Sequence, residues 1–471
     1  MAPRFELGME ALQAPALPLG HATLNTNYNI GVRCMQPISF EKIMQLLGTH
    51  SLDQRLVQGF SIDSRKVAPG NLFFALPGKK NDGTSFLQEV AKRGAVGAIV
   101  SNTYTGPNYG LSLLHVSDVV QTLQTLAQID VAQSNYKVIA ITGSLGKTTA
   151  KEFLKTLLAP HFRIFASPLS YNSQVTLPLT ILQARGDEEY LILEMGMSEP
   201  GELEKLVAIA PPYLALITKI ALQHSQNFPG GIADICKEKA KIFSSDQTKF
   251  ALMHHEMAQT ELAQCPLTTF SMENPNADLF LQRDGNQVVI HEKRSHAFKL
   301  DLPLDAHYHN FLAAYGCARL LGLAPTAIQE GVGALTLPLM RYQKIRKKGR
   351  IFINDAYNAN PDAMVAALRG LKSATSRRIA VISEMNDLGR FAAEAHLQIA
   401  KESVHCADQL FCIGKLCLPI VDYWKKKGKE AEIFESKEAL SKRVWEFSQP
   451  NDQILLKGAR SFALESLLKE D

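Results

Sequence analysis

The chain has 471 residues, of which 46% are hydrophobic and 20% charged, and its formal net charge is +4. This composition is typical of a globular protein of about three domains, and so balanced a charge argues against a nucleic-acid partner. The seven cysteines are scattered and contain no C-x-x-C pair, which argues against a disulfide scaffold and a cysteine-based zinc site and favours a cytoplasmic location. No apolar run is long enough to span a membrane, which argues against membrane insertion.

The N-terminal part of the chain is expected to contain a loose extension and a first folded unit. Residues 1–34 are rich in Ala, Pro, Asn and Gly and lack a signal-peptide pattern, so we expect a loose extension. Residues 35–134 alternate short strands with Pro and Gly turns. Ser64 and Arg65 follow a predicted strand, where a hydroxyl and a guanidinium could bind a phosphate or uracil group. By themselves, these two residues favour the alternative, an ordinary surface turn.

A strand, a glycine turn and a helix form the most informative stretch. Val138–Thr142 is an apolar, β-branched run, and a helical period begins at Lys147 after the turn Gly143–Gly146. Glycines let backbone N–H groups approach phosphate oxygens, and a helix N-terminus attracts anions. Lys147 would then contact the outer phosphates, and Thr148 would offer its hydroxyl to Mg2+. The general P-loop pattern has another glycine where Ile141 stands, so an ordinary glycine-rich turn is the alternative.

Two polar residues follow later strands of this central unit, which we place at residues 135–334. Glu194 ends the predicted strand 190–193, at the position where P-loop folds hold a Mg2+ carboxylate. His224 follows the predicted strand 213–218 at the same edge of the sheet. A lone histidine is more often structural, but this placement favours a residue of a metal site.

Strands and helices alternate from residue 335 to the C-terminus. The predicted strands, separated by helices of about a dozen residues, are 351–354, 379–383, 409–413, 432–434 and 453–457. This pattern predicts a parallel α/β domain. It contains no G-x-G-x-x-G fingerprint, so a dinucleotide site is not expected.

Several stretches together resemble the Mur ligase family, ATP-dependent enzymes that build the peptide stem of peptidoglycan precursors. They occur in the family's order: Ile62–Arg65, Thr142–Thr148, Glu194–Gly196 with His224, Asp355–Pro361, Ser383–Met385, and Lys457–Gly458 with Arg460 and Glu465. The P-loop form of this family lacks the additional glycine. The run Asp355–Pro361 is similar to the branch that adds D-Ala-D-Ala, and the D-N-P-R motif of the diaminopimelate-adding branch is missing.

The resemblance implies an α/β protein with three domains. These are a small N-terminal α/β domain for the UDP-linked precursor at 35–134, a central P-loop mononucleotide-binding domain at 135–334, and a C-terminal Rossmann-like ligase domain at 335–471. It further implies ligation of D-Ala-D-Ala to UDP-MurNAc-tripeptide through an acyl phosphate, with ATP and Mg2+, giving the pentapeptide of peptidoglycan synthesis. We expect a monomer. The third residue of the tripeptide is not specified by the sequence.

The resemblance also implies roles for individual residues. The catalytic residues would be Lys147, Glu194, His224 and Lys239, and the metal would be held by Thr148, Glu194, His224 and Lys239. ATP would be bound by Gly143, Ser144, Leu145, Gly146, Lys147, Thr148, Thr149, Asn310, Arg341 and Asp355, with Asn310 on the adenine. The other substrates would be bound by Ser64, Arg65, Asn172 and Asn358.

One implied residue is expected to be modified. In related ligases the lysine matched by Lys239 is carbamylated by CO2, which replaces a cation by an anionic oxygen ligand suited to Mg2+. Lys237 or Lys241 could be the modified residue instead. A surface lysine without modification is the simpler alternative.

Four positions depart from the family pattern, and they keep two other functions open. Thr176 replaces a Gly, Ala306 replaces a His beside His307, Asn354 replaces an acid, and Lys241 replaces a Glu. The chain could be a related ATP-dependent ligase or kinase with another substrate, against which the run Asn358–Pro361 argues. It could also be a precursor-binding protein without catalytic activity.

Overall fold

The computed structural model describes residues 37–78, 82–258, 263–372 and 376–469. The extension predicted for residues 1–34 therefore lies outside the described residues. The chain divides into two compact units. Of the described residues, the first unit comprises those up to Val138 together with residues 162–191 and 208–211, and the second comprises those in 139–161, 192–207 and from 212 onward. The domain boundaries drawn from the sequence, at 34, 134 and 334, stay a prediction.

A parallel four-stranded sheet forms the centre of the first unit. The elements up to residue 133 are β1 (Ile38–Ser39), α1 (Phe40–Leu46), β2 (Leu56–Val57), β3 (Gly59–Ser61), β4 (Asn71–Phe74), α2 (Leu87–Lys92), β5 (Gly97–Ser101), β6 (Ser112–Val116) and α3 (Val119–Gln133). Strands β3, β4, β5 and β6 are neighbours in that order, and β1 pairs with β2 antiparallel. Phe73, Val90 and Val100 belong to one buried apolar cluster, which fixes α2 against the sheet.

A largely parallel sheet positions the glycine turn in the second unit. The elements from residue 137 to 332 are β7 (Lys137–Thr142), α4 (Lys147–Leu158), β8 (Ile164–Ala166), α5 (Thr176–Ile181), β9 (Tyr190–Glu194), α6 (Glu202–Ile209), β10 (Leu214–Ile217), α7 (Ile232–Ala240), β11 (Phe250–His254), β12 (Leu267–Ser271), β13 (Leu279–Asp284), β14 (Gln287–His291), β15 (Ser295–Lys299), α8 (Asp305–Leu320) and α9 (Pro325–Val332). Of these, β8 and α5 lie in the first unit.

The strand order brings several carboxyl ends to one edge of this sheet. From β15 the neighbours are β14, β13, β12, β11, β10, β7 and β9. Strands β7, β10, β11, β12 and β13 pair in parallel, while β14 and β15 are added antiparallel. Helix α8 is buried along most of its length and packs against α4, β11 and β12. Open parallel sheets bind ligands beyond the carboxyl ends of their strands, so this edge is the expected site.

A second sheet completes the C-terminal part of the second unit. Its elements are β16 (Gln343–Lys347), β17 (Arg350–Asn354), α10 (Pro361–Lys372), β18 (Arg378–Ser383), α11 (Ala392–Cys406), β19 (Gln409–Ile413), α12 (Leu418–Lys426), β20 (Ala431–Phe434), α13 (Lys437–Phe447) and β21 (Gln453–Lys457). The order is β16-β17-β21-β18-β19-β20, and all neighbours except β16 and β17 are parallel. Apolar clusters on both faces cover it with helices, as a parallel sheet requires.

The predicted α/β class is confirmed, and every strand predicted after residue 335 is present. The hairpins formed by β13, β14 and β15 were not predicted. Their clearest signal is Gly285-Asn286 between two apolar runs, a dipeptide typical of two-residue hairpin turns. Asp284 pairs with Gln287 across this loop, and Gly285 has φ +57°. Within the described ranges, no helix is both long enough and apolar enough to cross a membrane.

Candidate active site

The glycine turn has the backbone geometry of a phosphate-binding loop. It connects the end of β7 to the start of α4, as the sequence predicts. Gly143 has φ +147° and Gly146 has φ +83°, values that residues other than glycine rarely adopt. Gly146 is the N-cap of α4, so the helix N-terminus points into the turn. This arrangement can accept an anion.

The segment directly after β10 holds the turn in place. The amides of Ser144 and Leu145 donate to the carbonyl oxygen of Lys219, at 2.8 and 3.1 Å. The hydroxyl of Thr218 donates to the carbonyl of Leu145 at 2.5 Å. The hydroxyl of Ser144 donates to the carbonyl of Ala221 at 2.9 Å, which joins the turn to the loop that carries His224.

Lys147 places a desolvated ammonium at this turn. Its Nζ donates to the carbonyl oxygen of Gly143 at 2.7 Å. Burial lowers the pKa of Lys147, with a smaller lowering by Arg341, while Glu194 opposes the shift. The guanidinium of Arg341 lies close enough to Lys147 to affect its pKa, so two cations share this region. Such a site favours a polyanion.

Thr148 and Glu194 form a buried oxygen pair beside Lys147. The Thr148 hydroxyl donates to Oε2 of Glu194 at 2.8 Å, and the residues are 6% and 1% exposed. Glu194 ends β9, the position predicted for it. Hydroxyl and carboxylate oxygens are the ligand types that Mg2+ prefers, so these two residues fit a magnesium ion.

The structure distinguishes the three lysines in and directly after α7. Lys237 is exposed, and Lys241 pairs with Glu238 at 2.8 Å and Glu204 at 3.2 Å. Lys239 is 2% exposed, and its pKa is lowered well below the ordinary value, first by burial and then by the charge of Lys147. Of the three, Lys239 is therefore the one beside the P-loop lysine.

His224 is oriented by a carboxylate that the sequence analysis did not single out. Its Nδ1 lies 3.4 Å from Oδ2 of Asp387, and this hydrogen bond is the main cause that lowers the pKa of Asp387. His224 has φ +53°, a left-handed conformation. The Ser225 hydroxyl donates to the carbonyl of Leu388 at 3.1 Å, which fastens the same loop. Asp387 lies just after the stretch Ser383–Met385 that resembles the family, and this position is the sequence signal that could have identified it as a site residue.

The carboxyl edge of the C-terminal sheet holds Asp355 in a buried ion pair. Asp355 follows β17, and its Oδ2 lies 2.8 Å from Nζ of Lys457, the last residue of β21. The Tyr342 amide donates to the other carboxylate oxygen at 3.1 Å. Lys457 also donates to the carbonyl of Asn358 at 3.0 Å. The Arg341 guanidinium lies over the Tyr357 ring, 4.0 Å from its centroid. Lys457 thus joins Asp355 to Asn358, and Arg341 packs on the ring of the intervening Tyr357.

Asn310 lies directly against the phosphate-binding turn. It is 8% exposed on α8, and a β-carbon added to Gly146 would lie 2.0 Å from its Oδ1. This close approach requires glycine at 146. His307, beside the departure at Ala306, is buried with its pKa lowered to about 4, chiefly by burial. The imidazole is therefore neutral near pH 7.

The remaining predicted substrate residues lie in the first unit. Ser64 is buried in a short 3-10 turn, and Arg65 is exposed and pairs with Asp63 at 2.8 Å. Lys66 of this turn donates to the Tyr171 hydroxyl at 3.1 Å, which brings the turn to the loop that carries Asn172. The structure therefore gathers these predicted residues in one part of the first unit.

The departures from the family pattern are accommodated by local contacts. The Thr176 hydroxyl accepts from the Ser173 amide at 3.0 Å at the start of α5. Asn354 accepts from the Ala356 amide at 3.3 Å. None of these changes removes a side chain from the P-loop, from Glu194 or from His224.

Three family models match successive parts of the chain. The model described as the Mur ligase family catalytic domain matches residues 56–129, the Mur ligase middle domain matches 141–318, and the glutamate ligase domain of Mur ligases matches 340–460. Together the three matched ranges include every site residue predicted from the sequence.

Individual relatives match over nearly the whole chain. The UDP-N-acetylmuramoyl-tripeptide–D-alanyl-D-alanine ligase of Bacillus subtilis is 28% identical over 442 residues, 91% of this chain and 96% of its own length. The ligase of the same name from Escherichia coli is 27% identical over 86% of this chain and 92% of its own length.

Solved structures agree with this fold. MurF from Acinetobacter baumannii superposes with a TM-score of 0.81 at 24% identity, over 92% of this chain and 98% of its own. The MurF ligase of Thermotoga maritima in complex with ADP superposes with a TM-score of 0.74 at 26% identity, over 88% and 96%.

Proposed function

The chain belongs to the Mur ligase family, and we propose that it joins D-Ala-D-Ala to UDP-MurNAc-tripeptide with consumption of ATP. The match to ligases of that name along nearly the full length of both chains carries this proposal. The product is the UDP-MurNAc-pentapeptide used in peptidoglycan synthesis. We place the reaction in the cytoplasm and expect the enzyme to work as a monomer.

The reaction has two steps. The free carboxylate of the tripeptide attacks the γ-phosphorus of ATP, which gives an acyl phosphate and ADP. The amine of D-Ala-D-Ala then attacks the acyl carbon, phosphate leaves, and the amine loses a proton. The first step brings two anions together, so catalysis depends on fixed cations and on positioning.

The residues around the turn meet that requirement. Lys147 supplies a desolvated cation, and the amides of the turn and the N-terminus of α4 supply partial positive charge. Asn310 is proposed to contact the adenine, since it lies against the same turn. Arg341 and Asp355 are proposed to contact ATP, and Ser64, Arg65, Asn172 and Asn358 the other substrates.

Magnesium is proposed to be held by Thr148 and Glu194, with His224 and a modified Lys239 contributing to a second ion. Bound Mg2+ would neutralise phosphate charge and help to orient the attacking carboxylate. The buried oxygen pair of Thr148 and Glu194 supports the first position. Asp387 on Nδ1 of His224 supports the second, because such a partner leaves Nε2 as the ligand atom.

The surroundings of Lys239 support its carbamylation. An uncharged amine is the form that attacks CO2, and the attack gives a carbamate and releases one proton. Burial and the charge of Lys147 lower the pKa of Lys239 and so favour the uncharged amine. A carbamate would replace repulsion from Lys147 by attraction, and its oxygens suit Mg2+.

A direct assay tests the function. The protein is mixed with ATP, Mg2+, UDP-MurNAc-tripeptide and D-Ala-D-Ala, and ADP and the pentapeptide are followed by enzyme-coupled detection and by mass. We expect equal amounts of both products, and neither in quantity when one substrate is omitted. Tripeptides ending in lysine or diaminopimelate would identify the third residue. ADP release without pentapeptide would assign the chain to another substrate, and no ADP release would make it a binding protein.

Asp355 allows a prediction that separates folding from turnover. Asp355→Ala leaves the Lys457 ammonium buried without its partner, so we expect a loss of about 3–5 kcal/mol in the free energy of unfolding, along with lost turnover. Adding Lys457→Met should restore much of the stability by removing that charge. Denaturant unfolding and the ligation assay measure the two effects.

The double variant is the informative control for Asp355. If Asp355 contacts ATP, turnover stays low in the double variant although stability recovers. Turnover that recovers together with stability would show that Asp355 acts only through the fold.

A further inference from the structure

Two histidines and a glutamate that the proposed function does not use meet at the carboxyl edge of the central sheet. His254 is the last residue of β11, Glu273 follows the end of β12, and His309 lies on α8. Strands β11 and β12 are parallel, and His254 pairs with Phe270. Both strands therefore end at the same edge of the sheet. One donor atom from each of the three residues lies within 4.8 Å of the other two.

The two imidazoles have nitrogen atoms that the described residues do not satisfy. His254 pairs through Nδ1 with Glu256, and its side chain is only 10% exposed, yet its buried Nε2 has no hydrogen-bond partner in the described part of the chain. His309 contacts Glu273 through Nε2 at 3.0 Å, and its buried Nδ1 also lacks a partner there. A buried polar atom left without a partner destabilises the folded state, and a bound ligand would remove that cost.

The rings and carboxylates are arranged as in metal-binding histidine sites. The His254 and His309 ring centroids lie 5.1 Å apart with an interplanar angle of 33°. Glu256 on Nδ1 of His254 fixes the tautomer whose Nε2 lone pair is free, the arrangement by which carboxylates orient metal-ligating histidines. Two imidazoles with one carboxylate suit zinc and similar transition metals, whereas Mg2+ is held mainly by oxygen ligands.

We propose that His254, Glu273 and His309 bind a divalent transition metal ion of the Zn2+ type, separate from the magnesium proposed at Thr148 and Glu194. Three protein ligands leave a fourth tetrahedral position for water or another ligand. Because β11, the segment after β12 and α8 each supply one ligand, the ion would connect three separate parts of the chain. It would thereby stabilise the first turns of α8, in which His309 is followed by Asn310.

Binding of Zn2+ and of Co2+ to the purified full-length protein tests this site without ATP or peptide substrates. Equilibrium dialysis with metal analysis gives the affinity and stoichiometry, and the visible spectrum of bound Co2+ reports ligand geometry. Glu273→Ala is the main variant, because the Glu273 side chain is 62% exposed and its removal should not disturb the fold. His309→Ala is the second variant, and His255→Ala is the matched control, since His255 lies outside the cluster.

We expect wild type and His255→Ala to bind one Zn2+ at this site with equal affinity. Glu273→Ala and His309→Ala should each weaken binding by about tenfold or more, and the tetrahedral Co2+ band should disappear in both. Excess Mg2+ should not displace the ion. The proposal is wrong if wild type binds no Zn2+, or if Glu273→Ala and His309→Ala bind it as wild type does. Ligation activity enters none of these outcomes, so the result is independent of the proposed function.

Discussion

Replacing Lys147 by alanine should lower kcat for ligation by about 10²- to 10³-fold, even at saturating ATP. The change removes one pre-oriented cation from a desolvated site, and single groups that stabilise transition-state charge have effects of this size. The protein should keep its stability, because burial disfavours the ammonium and its hydrogen bond is made to a backbone carbonyl, that of Gly143. Steady-state kinetics and thermal unfolding measure the two quantities.

Lys155→Ala is the matched control for Lys147. Lys155 lies on the same helix, its side chain is 47% exposed, and its partner is Glu152 at 3.7 Å. Turnover of this variant should be unchanged. Near-normal turnover in Lys147→Ala, or an equal loss in both variants, would show that the turn does not bind the transferred phosphate through Lys147.

Replacing Lys239 by alanine should abolish ligation with little loss of stability. If Lys239 carries a carbamate, the variant loses an anionic oxygen ligand and leaves Lys147 without a compensating charge. Stability should be preserved, because a lone buried ammonium contributes unfavourable desolvation to the folded state. Formate or acetate should partly restore activity by supplying a carboxylate at the vacated position.

Two measurements separate this role of Lys239 from a general effect of charge. Lys237→Ala, which removes an exposed lysine of the same helix, should remain active and should not respond to acetate. Intact mass in bicarbonate should show one added CO2 in wild type and none in Lys239→Ala. Full activity in Lys239→Ala would refute the proposal, and rescue without any mass difference would leave Lys239 as an unmodified positioning residue.

The local elements of the nucleotide site could be predicted from the sequence. The run Val138–Thr142 is a strand, α4 begins at Lys147, and Glu194 ends β9, all as predicted. These signals lie within one element each: a β-branched apolar run, a glycine turn, and a change of period. The hairpin of β13 and β14 carries an equally local signal at Gly285-Asn286. It could have been predicted from the sequence, because the turn dipeptide stands between two apolar runs.

Only the tertiary structure shows which of the three lysines in and directly after α7 is buried beside Lys147. Lys237, Lys239 and Lys241 recur at every second residue, so the sequence places them on different faces of one helical segment but does not say which face is buried. Tertiary packing buries Lys239 beside Lys147 and leaves Lys237 exposed. Asp387 and His224 likewise meet only because two loops pack together.

The sequence by itself determined the elements, the phosphate-binding turn and the family, because propensity, turn chemistry and apolar period act over a few neighbouring residues. The tertiary structure alone decided which side chains share a site. His254, Glu273 and His309 are separated by up to 55 positions, and strand register and the packing of α8 bring them within 4.8 Å. Such proximity depends on how elements are stacked, and the apolar contacts that stack them are non-directional, so no local pattern encodes it.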